Sequence, residues 1–155
     1  MSIIRWMGLA LLALVLLFGL IQLVPYGHAH SNPPVQQEPA WDSPQTQQLA
    51  RRACYDCHSN ESTWPWYSNV APVSWLVQHD IEEGRERLNL SEWGMHRTEA
   101  DEVSETMRRG EMPPWFYVVM HPQAQLSPSE QEALIQGMIA SGVGEAGGGE
   151  RERDD

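Results

Sequence analysis

Cys54-Tyr55-Asp56-Cys57-His58 reads C-x-x-C-H. This is the spacing at which a polypeptide attaches a c-type haem. Two thiols three positions apart on a helical turn can each form a thioether to one haem vinyl. The imidazole that follows then lies under the porphyrin and binds iron from one side. On this reading Cys54 and Cys57 hold haem c covalently and His58 is the proximal iron ligand. They are the only cysteines in the chain, so a chain that spends them on haem has no disulfide.

The rest of the chain bounds what surrounds that motif. Its 155 residues allow one modest domain with appendages. The formal charge is −11, and all ten basic residues are arginine. A nucleic-acid binder needs the opposite balance, which excludes that class. Seven Trp and seven Met suit the walls of a large flat apolar cofactor, and they equally suit an ordinary core.

From Ile3 to Val24 the only charge is Arg5, and Gln22 is the one strongly polar side chain of Met7–Val24. A helix of that length matches a hydrocarbon core about 30 Å thick. Arg5 flanks it on one side and no basic residue follows until Arg51. The positive-inside bias therefore predicts a single-pass anchor in the inner membrane, residues 1–24, with the remainder periplasmic or extracytoplasmic. The rival is a cleaved signal peptide, for which Gly27-His28-Ala29 is a tolerable site, although the apolar run exceeds the usual length. A buried core helix does not fit a segment with no polar face.

Residues 25–43 are rich in Pro, Gln, Ser and Asn and read as an extracytoplasmic linker. The domain is expected over 44–142 and a disordered acidic tail over 143–155. Ser43 caps and Pro44 opens a first helix, expected to run to His58 with Leu49, Ala53, Cys54 and Cys57 on one buried face. Arg51 and Arg52 are candidates to pair with haem propionates, or simply solvated charges. Ser59 to Tyr67 is a loop, and Trp64, Trp66 and Tyr67 suit either a lid over the haem or core packing. A second helix begins near Pro72, with Val73, Leu76, Val77, Ile81 and Leu88 at helical spacing. His79 reads as a surface residue. A third helix starts near Thr98-Glu99-Ala100-Asp101, carries Val103 and Met107 inward and stops at Gly110. The last helix opens with Ser127-Pro128-Ser129-Glu130, a capping box, buries Ala133, Leu134, Met138 and Ile139, and stops at Gly142.

Between the last two helices lies Glu111-Met112-Pro113-Pro114-Trp115. The prolines fix the backbone beyond Met112, so its thioether can reach a metal with little further loss of chain entropy. Iron held by His on one side commonly takes Met on the other. Met112 is therefore the expected distal iron ligand. His121, restrained by Pro122, is the runner-up. Met120 is a further competitor, Met95 and His96 sit in a polar loop after Gly94 with no rigid frame, and Met107 falls on a core stripe.

Residues Asn32 to Gly142 resemble the haem-binding domain family of bacterial single-haem c-type proteins. The resemblance rests on Cys54-Tyr55-Asp56-Cys57-His58-Ser59-Asn60, Trp64-Pro65-Trp66-Tyr67, Val70-Ala71-Pro72, Gly110-Glu111-Met112-Pro113-Pro114 and the His121-Pro122 to Leu126-Ser127 run. It implies an all-α, small cytochrome c-like helical domain with one covalent haem, and it places Met112 where the family has its Met-Pro. No substrate is implied.

The leading functional expectation is a single-electron carrier with His/Met-ligated iron, working with a redox partner protein that the sequence does not name. A small-ligand sensor or enzyme with a labile distal ligand is the alternative. A zinc module built on Cys54, Cys57 and His58, and a thiol redox protein, stand behind these. One C-x-x-C-H excludes a two-haem arrangement within the chain, and an enzyme is the less favoured reading.

Overall fold

The computed structural model describes residues 3–95 and 102–143. Among them every regular element is helical, and the only extended pairing is an isolated bridge between Gln37 and Glu92. The chain divides into two units, Met1–Ser31 with Thr63–Glu82, and Asn32–Ser62 with Glu83–Asp155.

The first unit opens with α1, Ile3–Ile21, a 19-residue helix with no buried side chain. It is long and apolar enough to cross a membrane. After it the chain turns back at Gly27 and reaches His30. The second segment of this unit holds a 3-10 turn at Trp66–Asn69 and the start of a long helix, Val73–Arg87 (α4 below), whose last turns, from Glu83, belong to the second unit.

The second unit contains α2 (Pro44–Ala53), α3 (Tyr55–His58), the end of α4 (Val73–Arg87), α5 (Val103–Arg108), α6 (Trp115–Met120) and α7 (Pro128–Ala140). Ser43 caps α2 by accepting from the Thr46 N–H at 3.2 Å, with Pro44 at the first helical position. Ser127 and Glu130 form the expected capping box on α7. Helices α2 and α5 both pack on α7. Leu49, Ala50, Tyr55, Leu88, Leu90, Met107, Leu134, Ile135, Met138 and Val143 make the core, with Trp41, Trp93 and Leu126 at its margin. Burying a Leu, Ile or Met of this kind contributes roughly 1.5–3 kcal/mol each.

Three local expectations change. The helix expected over Pro44–His58 is broken at Cys54, whose backbone turns to φ −122°. In a straight helix at about 100° per residue, Tyr55 would face away from Thr46, Leu49, Ala50 and Ala53. The break swings it inward to 3% exposure, and Cys54 and Cys57 end half-buried rather than inside the stripe. On α4, Ile81 and Leu88 are buried as expected, but Val73 and Leu76 are 42% and 48% exposed; Ser74 and Gln78 are buried in their place. Third, a further helix, outside those expected, forms at Trp115–Met120: Pro114 sits at φ −60° just before it and no further proline follows until Pro122.

The stretch expected as a linker is partly built into the second unit. The N–H groups of Gln36 and Gln37 donate to the Ser91 carbonyl at 2.8 and 3.0 Å, and Trp93 N–H donates to Gln37 O at 2.9 Å. Glu38 accepts from Gln47, Arg51 and Tyr55. The capping sequence Thr98–Asp101 and the tail from 144 lie outside the described residues.

Candidate haem site

The turn that carries both thiols and the imidazole is held from behind by buried polar groups. Cys57 and His58 N–H groups donate to Cys54 O at 3.2 and 2.9 Å, which closes the turn. Ser59 and Asn60, both buried, fix the chain leaving it. Ser59 Oγ donates to Tyr55 O at 2.7 Å, and Asn60 N–H donates to Ser91 Oγ at 2.9 Å. The Asn60 amide donates to Pro34 O and Glu92 and accepts from Asn89. Arg85 donates through Nε to Ser59 O at 2.8 Å and through Nη2 to Ser62 Oγ and Asn32 Oδ1. Each buried donor so engaged avoids a desolvation cost of about 1–3 kcal/mol.

His58 is set by α4. Its Nδ1 lies 2.9 Å from Gly84 O and 3.1 Å from Leu88 O. Carbonyls only accept, so Nδ1 carries the proton and Nε2 keeps its lone pair. Among the described residues no partner occupies Nε2. Burial holds the imidazole below its ordinary value, against the two backbone bonds, so the ring stays neutral at pH 7. A neutral imidazole with one nitrogen bonded to the backbone is the state in which histidine ligates metal. Gly84 is required at that crossing: a Cβ there would sit 2.7 Å from Cys57 O.

The Cys54 thiol is shifted away from the redox type. Burial, with the neighbouring Cys57, pushes Cys54 up to about 12. A reactive dithiol needs the opposite shift. Among the described residues no group of three His, Cys, Asp or Glu side chains is arranged to hold a metal ion, so the zinc reading lacks a ligand set there.

Met112 lies between α5 and α6, joined to Pro113 by a cis peptide bond, and is 40% exposed. The segment after it is tied to the motif. Tyr117 of α6 donates its phenol to Asp56, the second variable residue of C-x-x-C-H, at 2.6 Å. Shortly after Met112 in the chain the large side chains Trp115, Phe116, Val119 and Met120 are all exposed. Of the other candidates, Met107 is buried in the core, Met95 and Met120 are exposed, and His121 stacks on Tyr117 at 4.2 Å with Nδ1 donating to Tyr117 O. His96 lies outside the described residues. Arg51 pairs with Glu38 and Glu61 and lies over the Tyr55 ring, while Arg52 pairs with Glu130. Trp64 and Trp66 fold with the first unit, where Trp64 stacks on His30.

Sequence reading missed Tyr117, Asp56, Ser59, Asn60, Arg85 and Gly84. An Asp inside the motif and a Tyr five residues past Met112 carry no spacing rule that pairs them. Asn60, in a polar loop start, is buried against Asn89 and Ser91, 29 and 31 residues further along the chain.

An iron porphyrin bound through a C-x-x-C-H motif asks for two thiols on one turn, an imidazole with a lone pair, and apolar cover. This site supplies the first two on α3 and its N-terminal residue, and α6 supplies exposed apolar surface tied to that turn. The residues fit the group. The chain belongs to the haem-binding domain family, whose sequence model matches residues 16–140. No curated protein and no solved structure matches it.

Proposed function

We propose that this chain is a membrane-anchored, extracytoplasmic c-type haem protein that carries single electrons. Cys54 and Cys57 form the thioethers, His58 Nε2 is the proximal ligand and Met112 the distal one. When bound, the iron porphyrin supplies one-electron exchange between ferrous and ferric states. The chain's part is positioning. Gly84 and Leu88 orient the imidazole, Arg85 and Asn60 brace the turn, and Tyr117 ties the Met112 segment to it. The observation that carries the reading is His58, its Nδ1 bonded to two backbone carbonyls directly after two thiols on one turn.

The anchor is read as retained. The family match begins at Leu16, inside α1, so the helix end is part of what the family shares. Arg5 at its start favours a cytoplasmic N-terminus and a periplasmic haem domain. Acidic surface on that domain would steer a basic redox partner, with a rate that falls as salt rises.

The test is expression in a host able to make cytochromes c. The expected result is colour that survives acid–acetone extraction and an intact mass that includes one tetrapyrrole. A polypeptide at its bare mass overturns covalent attachment.

A further inference from the structure

Of the chain's ten arginines and twenty-one acidic residues, the first unit holds only Arg5, Asp80 and Glu82. From Ser62 to Gln78 there is no Asp, Glu or Arg at all, and that stretch carries Trp64, Trp66, Tyr67 and Trp75. Trp66 is 77% exposed, and Val73 and Leu76, one helical turn apart, are 42% and 48% exposed. Exposed apolar groups on an uncharged surface mark a contact with something other than water.

The same segment is fastened to the end of α1. The Gln22 amide donates to Ala71 O at 3.0 Å and accepts from Ala71 N–H at 2.9 Å. The two polar groups of the side chain thus satisfy both backbone polar groups of one residue, an arrangement that tolerates apolar surroundings. At Gly27 (φ +85°) the returning chain passes so close to α4 that a Cβ would lie 2.5 Å from Ser74 O. Tyr26 donates to Glu82 at 2.8 Å, and His30 Nε2 donates to Ser68 O at 2.9 Å while its ring stacks on Trp64 at 4.5 Å. A 19-residue helix rises about 28 Å, close to the thickness of a bilayer core. Gln22, next after α1, then falls at the core boundary, and whatever it holds lies at headgroup depth.

We propose that residues 63–77 form a collar lying in the outer headgroup region of the membrane, with Trp66, Val73 and Leu76 in contact with lipid. The occupant is a phospholipid surface, because the patch is fixed beside the exit of the spanning helix, is uncharged, and is rich in the aromatic side chains that partition to that depth. The inference rests on α1 spanning the membrane.

The test uses the haem-loaded full chain in vesicles of phosphatidylcholine and phosphatidylglycerol. Single photocrosslinking substitutions are made, Trp66→p-benzoylphenylalanine, Leu76→p-benzoylphenylalanine, Leu14→p-benzoylphenylalanine within α1 and Glu132→p-benzoylphenylalanine on exposed α7. An unaltered haem spectrum confirms the fold of each. After irradiation the expected mass gain is one phospholipid at positions 66, 76 and 14 and none at 132. Lipid at 14 without lipid at 66 and 76 overturns the collar and leaves the span standing. No lipid at 14 overturns the span and the collar with it. Crosslinks from 66 and 76 to a polypeptide in place of lipid also overturn the collar.

Discussion

The phenol of Tyr117 donates to the carboxylate of Asp56 at 2.6 Å, across 61 residues of sequence. One partner is inside the C-x-x-C-H turn and the other on the helix that follows Met112-Pro113-Pro114. A hydrogen bond to a charged group contributes roughly 1.5–3 kcal/mol. Tyr117→Phe is therefore expected to lower the free energy of unfolding in denaturant by an amount in that range. Haem should remain attached, and the methionine–ferric absorption band should weaken as the Met112 segment loosens. A variant with unchanged stability and an unchanged band would show that this bond does not hold the segment.

Met112→Ala is expected to remove the far-red methionine–ferric band and to open the iron to carbon monoxide. The wild-type ferrous protein should bind carbon monoxide poorly. Optical titration of both proteins checks this. An unchanged band in the variant moves the distal ligand elsewhere, and rapid tight binding by the wild type favours a ligand-sensing role.

Gly84→Ala places a methyl group against the Cys57 carbonyl, 2.7 Å from its oxygen. The neighbour is backbone and cannot turn aside. Overpacking of this kind costs about 1–3 kcal/mol. The expected outcome is a lower thermal midpoint and a reduced yield of covalently attached haem, read by extraction and intact mass.

Glu130 lies well below its ordinary carboxylate value of 4.5, at about 2, because the Ser127 N–H donates to it, Arg52 bonds to it and the Ser127 hydroxyl adds to both. Its folded value is depressed, so its contribution is complete above the unfolded value and is lost as pH falls toward the folded one. Thermal midpoints of the wild type and Glu130→Gln should therefore differ at pH above about 4.5 and converge toward about 2. A constant difference across that window would mean the charge is not what the cap uses.

The sequence made the motif, the helix starts at Ser43 and Ser127 and the core position of Met107 legible, since each depends on neighbours within a few residues. Tyr55 was not legible, because local periodicity assumes a straight helix and the break at Cys54 reverses its direction. That Val73 and Leu76 end exposed was not legible for a related reason. Apolar spacing marks a face but does not say whether protein or another medium covers it. Tyr117–Asp56 and Gln22–Ala71 are long-range pairs of polar groups, which no local rule anticipates.

Leu88 directly follows the C-terminal end of α4, where a helix leaves carbonyls without internal donors, while the Gly84 carbonyl already accepts from the Leu88 N–H at 2.9 Å. The His58 ring supplies the missing donor to the Leu88 carbonyl at 3.1 Å, so a single imidazole stoppers a helix with one nitrogen and keeps the lone pair of the other. Negative helix-end charge beside Nδ1–H enriches the opposite nitrogen in electron density. Replacing His58 would thus unpick a secondary-structure terminus as well as the proposed proximal ligand, and the fraying of that terminus would be visible in hydrogen exchange before any iron is added.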